Sequence, residues 1–103
     1  MIRVSVFYPN HDGAKFDIAY YCDKHMPMVR RLLGPALKGM TIDHGIAGAT
    51  PGAPAAYAAM GHLTFDSLEA FQNSFGANAQ AIMGDIPNYT NVQPMVQISE
   101  VKL

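Results

Sequence analysis

Residues 56–82, AYAAMGHLTFDSLEAFQNSFGANAQAI, change their apolar period halfway. Up to Asp66 the pattern alternates. Tyr57, Ala59, Gly61, Leu63 and Phe65 share one face, and Ala58, Met60, His62 and Thr64 share the other, as in a β-strand over Ala56–Asp66. From Leu68 the apolar positions recur at steps of three and four: Leu68, Phe71, Phe75, Ala79 and Ile82. That spacing lines one side of a helix. Asp66 and Glu69 resemble a capping box with Asp66 as the N-cap. Gly76 loosens the helix that follows.

The flanking sequence completes the order. Ile2, Val4, Val6 and Tyr8 alternate with Arg3, Ser5 and Phe7, which predicts a first strand over Ile2–Tyr8. Pro9–Gly13 is a turn cluster. Phe16–Gly34 predicts a helix, with a kink near His25–Pro27 because proline removes a backbone donor and crowds the preceding turn. Gly34-Pro35 stops it. Ala36–Ile46 is a weaker strand, Ala47–Ala55 a Gly/Ala/Pro-rich surface loop, Gly84–Asn91 a loop holding Pro87 and Tyr89, and Val92–Val101 a last strand. The order β-α-β-β-α-β predicts an α+β, ferredoxin-like domain over residues 1–103, an antiparallel four-stranded sheet with both helices on one face. The bare face would expose Phe7, Met60 and Met95.

Composition points to a partner for that face. Half of the 103 residues are apolar and only 15% are charged, against a usual share of about 25%. A small domain so poor in charge is expected to cover apolar surface with a second copy, as a homodimer. The net charge of −1 argues against nucleic-acid binding. A single cysteine excludes an internal disulfide. The histidines and Cys22 lack paired metal-ligand spacing. MIRVSVFYP has a strand pattern and not that of a signal peptide, and no apolar run approaches the roughly 20 residues of a membrane span. A cytoplasmic protein with no metal and no cofactor is the expectation.

His25 is the residue with the most chemical potential. On a helix over Phe16–Gly34, Ile18, Tyr21, His25, Met28, Val29 and Leu32 share one stripe, with Cys22 and Leu33 at its margins. A buried imidazole needs a hydrogen-bond partner, since desolvating a polar group costs about 1–3 kcal/mol. It also titrates nearest neutrality. His25 is therefore either a satisfied core histidine or the acid/base group of a pocket. Tyr57, Ala59 and Gly61 are expected to face it from the third strand, and two small residues there leave room for a ligand. Tyr21 or Tyr57 would orient that ligand. Cys22 is expected to be an inert buried thiol, His62 to meet the partner sheet, and His11 and His44 to be solvated. No Ser-His-Asp arrangement, phosphate-cradling loop or dinucleotide fingerprint is present in the sequence.

The stretches RVSVFYPN, YYCDKHMPMV, GHLTFDSLEAFQ and DIPNYTNVQPMVQISEV resemble the EthD family, and together they span nearly the whole chain. The His25-Met26-Pro27 element after paired tyrosines marks the resemblance. It implies a dimeric α+β barrel in which two ferredoxin-like sheets pack face to face. The family is named for a small protein linked to ethyl tert-butyl ether degradation. Relatives of the barrel include cofactor-free monooxygenases, muconolactone isomerases, polyketide cyclases and some haem proteins, so the fold leaves the reaction open. Three functions are to be weighed. The first is an enzyme or ligand-handling protein with His25 as acid/base. The second is a non-catalytic dimeric accessory or binding protein with a structural His25. The third, ranked lowest, is a haem protein with His25 as axial ligand, for which no basic cluster awaits the propionates.

Overall fold

Alternating apolar residues build the sheet of the computed structural model, which describes residues 1–103. Its strands are β1 (Ile2–Pro9), β2 (Gly39–His44), β3 (Tyr57–Phe65) and β4 (Met95–Glu100). They lie in the order β2-β3-β1-β4, and every neighbouring pair is antiparallel. This is the expected ferredoxin-like α+β arrangement. Burial along β3 follows its period of two: Ala59, Gly61, Leu63 and Phe65 are buried, and the residues between them are half-buried. Their partners on β1 are Tyr8, Val6, Val4 and Ile2, so both central strands turn one apolar face to the helices.

Tyr57 departs from that face. The β1–β3 register slips after Tyr8, which pairs with Ala59, because Pro9 pairs with Tyr57. The extra residue is a bulge, and it turns Tyr57 to the side of Phe7 and Pro9. The Tyr57 ring packs on Phe7 with centroids 5.3 Å apart. The expectation that Tyr57 faces His25 is thereby corrected.

The first helical region is divided. Helix α1 (Ile18–Tyr20) is capped by the Asp17 side chain, which accepts from the Tyr20 N–H at 3.0 Å. A π-helical turn covers Tyr21–His25, and α2 runs over Met26–Leu33. The Met26 N–H reaches back five residues to the Tyr21 carbonyl. The wide turn adds a residue before Pro27, whose missing N–H cannot continue the ordinary ladder. The inward positions shift with it. Tyr21, His25, Met26, Val29 and Leu33 are buried, while Met28 and Leu32 are only half-buried. Cys22 is exposed, not the buried thiol expected of a regular helix. Gly34 ends α2 at φ 60° and ψ −144°, a conformation close to one that only glycine visits without strain.

The second helical region is split too. Helix α3 (Leu68–Gly76) is capped by Ser67, whose hydroxyl accepts from the Ala70 N–H at 3.1 Å. The cap is therefore one residue later than Asp66. Helix α4 (Ala79–Gly84) follows a break at Asn78. The Asn78 side chain donates to the Leu32 and Ser74 carbonyls at 3.1 and 2.8 Å, joining the two helical regions.

Gly34→Ala should lower stability by about 1–3 kcal/mol through backbone strain alone. A urea titration should show an earlier midpoint with an unchanged slope.

Candidate functional site

A cavity of about 190 Å³ lies between the helices and the sheet. Val6, Gly61 and Leu63 line it from the sheet, Val29 from α2, Phe75 from α3 and Ile82 from α4. His25 and the hydroxyls of Tyr8, Tyr21 and Tyr89 supply the only side-chain nitrogen and oxygen atoms of its wall. His25, Tyr21 and Gly61 all line this cavity. Ala59 is sealed in the core beneath Tyr8 and does not reach the cavity. Gly61 has a different use from the one its size suggests. A Cβ there would collide with the Tyr21 hydroxyl, so the missing side chain makes room for a tyrosine.

The site's second half comes from the segment before β4. Asp85 follows α4 and precedes a 3₁₀ turn at Ile86–Asn88. The His25 Nδ1 lies 2.9 Å from the Asp85 Oδ2. Oδ1 of the same carboxylate accepts from the Tyr20 hydroxyl and from Asn88 Nδ2, each at 2.8 Å. Burial raises the Asp85 pKa, but the donors Asn88, His25 and Tyr20 outweigh it and hold the group below its ordinary range. Asp85 is therefore an ionised acceptor, and His25 must donate through Nδ1–H. Burial pushes the His25 pKa below its ordinary 6.5, more strongly than the Asp85 hydrogen bond and charge raise it. The ring is accordingly neutral near pH 7, with its lone pair on Nε2.

Nε2 has no hydrogen-bond partner in the protein. No buried side-chain nitrogen or oxygen without a partner is sealed from solvent. Nε2 is therefore not sealed, and the cavity beside it is the one that His25 lines. Around it the aromatic rings are tightly set. Tyr21 stacks on the imidazole with centroids 5.6 Å apart and planes 12° apart, and the Tyr89 ring is 4.6 Å away. The Tyr8 and Tyr89 hydroxyls are hydrogen-bonded at 2.6 Å. Burial raises the pKa values of Tyr8, Tyr21 and Tyr89, so all three phenols keep their protons. Such a cluster can accept one proton at Nε2 and donate hydrogen bonds from phenols beside it.

Asp85, Tyr20 and Tyr89 escape a periodicity argument. Asp85 sits in a loop, where spacing carries no information about contacts. Its one sequence signal is that it opens the stretch DIPNYTNVQPMVQISEV. The sheet also assembles a row that sequence spacing hides. On the face away from the helices, Ser5 Oγ is 2.9 Å from His62 Nδ1, and His62 Nε2 is 3.3 Å from the Asp43 carboxylate. No cavity adjoins this row.

A ferredoxin-like α+β protein with a histidine–carboxylate pair over an apolar cavity is the class that fold and site define. The sequence matches the EthD domain over residues 12–93, and the chain belongs to that family. It is similar to the crystal structure of an EthD-like protein from Ralstonia eutropha JMP134. The two share 48% identity with a TM-score of 0.95, over 99% of this chain and 92% of that one. An ethyl tert-butyl ether d (EthD) family protein from Bacillus halodurans C-125 matches at 19% identity and a TM-score of 0.69, over 99% of each chain. HapK from Hahella chejuensis matches at 12% identity and 0.58, over 97% of this chain and 92% of that one, and carries the likeness of fold alone. No match was found among curated proteins. No helix is long and apolar enough to cross a membrane.

The lowered His25 pKa has a sign for stability. Below pH 6.5 the unfolded histidine binds a proton that the native one resists, so stability should fall as the pH drops from 6.5 toward the native value. Asp85, lowered from 3.8, adds a second loss as the pH falls through that value and below. The urea midpoint of the native protein should decline between about pH 7 and 5. His25→Gln should flatten that first decline and leave the more acidic one.

Proposed function

We propose that this protein binds a small, largely apolar organic molecule in the helix–sheet cavity and transforms it by proton transfer at His25. The observation that carries this reading is the asymmetry of the imidazole. Nδ1 is held by Asp85, while Nε2 has no protein partner and is unsealed beside an apolar cavity. A structural histidine would spend both ring nitrogens on the protein. Nε2 takes a proton from the bound molecule as a base and returns it as an acid. Asp85 is a positioning residue: it fixes the tautomer and stabilises the imidazolium that forms. Proton transfer of this kind belongs to isomerases, cyclases, lyases and cofactor-free oxygenases alike. An accessory protein whose His25 merely ties helix to loop would account for the Asp85 bond but not for the open nitrogen. The cavity is too small for a tetrapyrrole, and no lysine or arginine lines it for propionates.

The same reading includes a homodimer formed through the open sheet face. Phe7, Met60 and Tyr57 lie there with the Ser5–His62–Asp43 row, and Met95 at its edge is 55% exposed. A second sheet laid on this face would cover them. Light scattering at micromolar concentration should give twice the chain mass, and a folded monomer would refute the assembly.

A thermal-shift panel of single-ring and branched aliphatic molecules tests the site. A molecule that stabilises the native protein should lose that effect in His25→Ala. Asp85→Asn should weaken it about tenfold or more, because an amide no longer requires the proton on Nδ1. A full response in His25→Ala would overturn the proposal.

A further inference from the structure

We propose that the cavity takes a monocyclic phenol, bound in its neutral form; this rests on the reading of His25 as the acid/base group. Size limits the ligand first. The cavity measures about 190 Å³, and an apolar cavity of about 150 Å³ is known to hold one benzene ring. One substituted ring fills this space, and a fused polycyclic does not fit. Charge limits it next. No lysine, arginine, aspartate or glutamate lines the wall. A carboxylate or an ammonium would lose its water with no counter-charge in return. The rim agrees, because Met83 and Val96 line the cavity and are also 49% and 57% exposed at the surface. The entrance is thus apolar.

The polar groups then choose the functional group. Tyr8 and Tyr89 share one proton in their mutual hydrogen bond. The second proton of that pair and the proton of Tyr21 find no acceptor outside the cluster, so at least one phenol O–H is left for the ligand. Beside these donors His25 Nε2 is the one polar atom that accepts and cannot donate. A ligand satisfying both carries one oxygen that accepts from a tyrosine and donates to the imidazole. A phenol hydroxyl does so with one atom. The bound phenol keeps its proton, shared in a hydrogen bond to Nε2, for the reason the buried tyrosines keep theirs: an apolar wall disfavours the phenolate. Toluene offers the ring without the oxygen, and benzoate the ring with a full charge.

Isothermal titration of the intact protein with phenol, toluene, benzoate and the three-ring anthrol tests this. Phenol should bind about tenfold or more tightly than toluene, and benzoate and anthrol should bind more weakly than phenol. Bound p-nitrophenol should keep its proton, and lack the phenolate absorption, to a higher pH than the free compound. His25→Gln and Tyr21→Phe should each shrink the preference for phenol over toluene while toluene still binds. Equal affinity for toluene, tightest binding of benzoate, or an unshifted p-nitrophenol titration would overturn the proposal. If anthrol alone binds, and needs His25, the single-ring inference fails and the role of His25 stands. If no compound binds, both fail.

Discussion

The hydrogen bond between His25 and Asp85 joins residues 60 positions apart in the chain, at the place where the core is least apolar. Neither partner is stable there alone. An imidazole packed among Tyr21, Met26 and Val29 needs an acceptor, and a half-covered carboxylate needs donors. Each supplies what the other lacks, and Tyr20 and Asn88 complete the carboxylate's set. The loop that carries Asp85 is itself fixed. The Asp17 N–H donates to the Tyr89 carbonyl at 2.7 Å, the Thr90 hydroxyl to the Lys15 carbonyl at 2.6 Å, and Asn91 accepts from the Lys15 N–H at 2.8 Å. The segment entering the first helix and the segment entering β4 therefore clamp each other around the site.

Backbone geometry decides which side chains meet there. In a regular helix the residue four positions after Tyr21 lies about 40° round the axis from it. The π-helical turn rotates less per residue and brings the two positions closer to eclipsed, and the Tyr21 and His25 rings stack nearly parallel. Such single wide turns often accompany functional positions. Here the turn also brings Met26, Val29 and Leu33 inward, so one irregularity sets both the cavity wall and the position of His25.

Strand order, sheet face and the inward placing of His25 were legible in the sequence because each rests on periodicity. Leu63 and Phe65 mark the inner face of β3 without ambiguity, and the structure buries both. Three features were not legible, for three physical reasons. The register slip at Tyr8/Pro9 depends on how two distant strands pair, so the strand pattern alone sends Tyr57 to the wrong side. The π-turn leaves no mark on composition, so a regular helix puts Met28 and Leu32 where Met26 and Leu33 belong. Asp85 lies in a loop and becomes visible only once the fold brings it to His25.

Gly61 shows how a correct position can carry a mistaken reason. A small residue on the inner face of a strand suggests space for a ligand, yet Tyr21 places its hydroxyl in that space. The glycine acts through a tyrosine: it lets the Tyr21 phenol reach the sheet, beside the Tyr8 and Tyr89 rings. A wall of aliphatic and aromatic side chains is thereby left with its polar atoms gathered in one place, around a nitrogen whose other face is already committed to Asp85. Apolar walls give a ligand affinity without direction, because burial has no preferred orientation. Gathering the polar side chains of the wall at the tyrosine and histidine side gives the cavity a direction: a polar group placed in it finds partners there and none along the aliphatic wall.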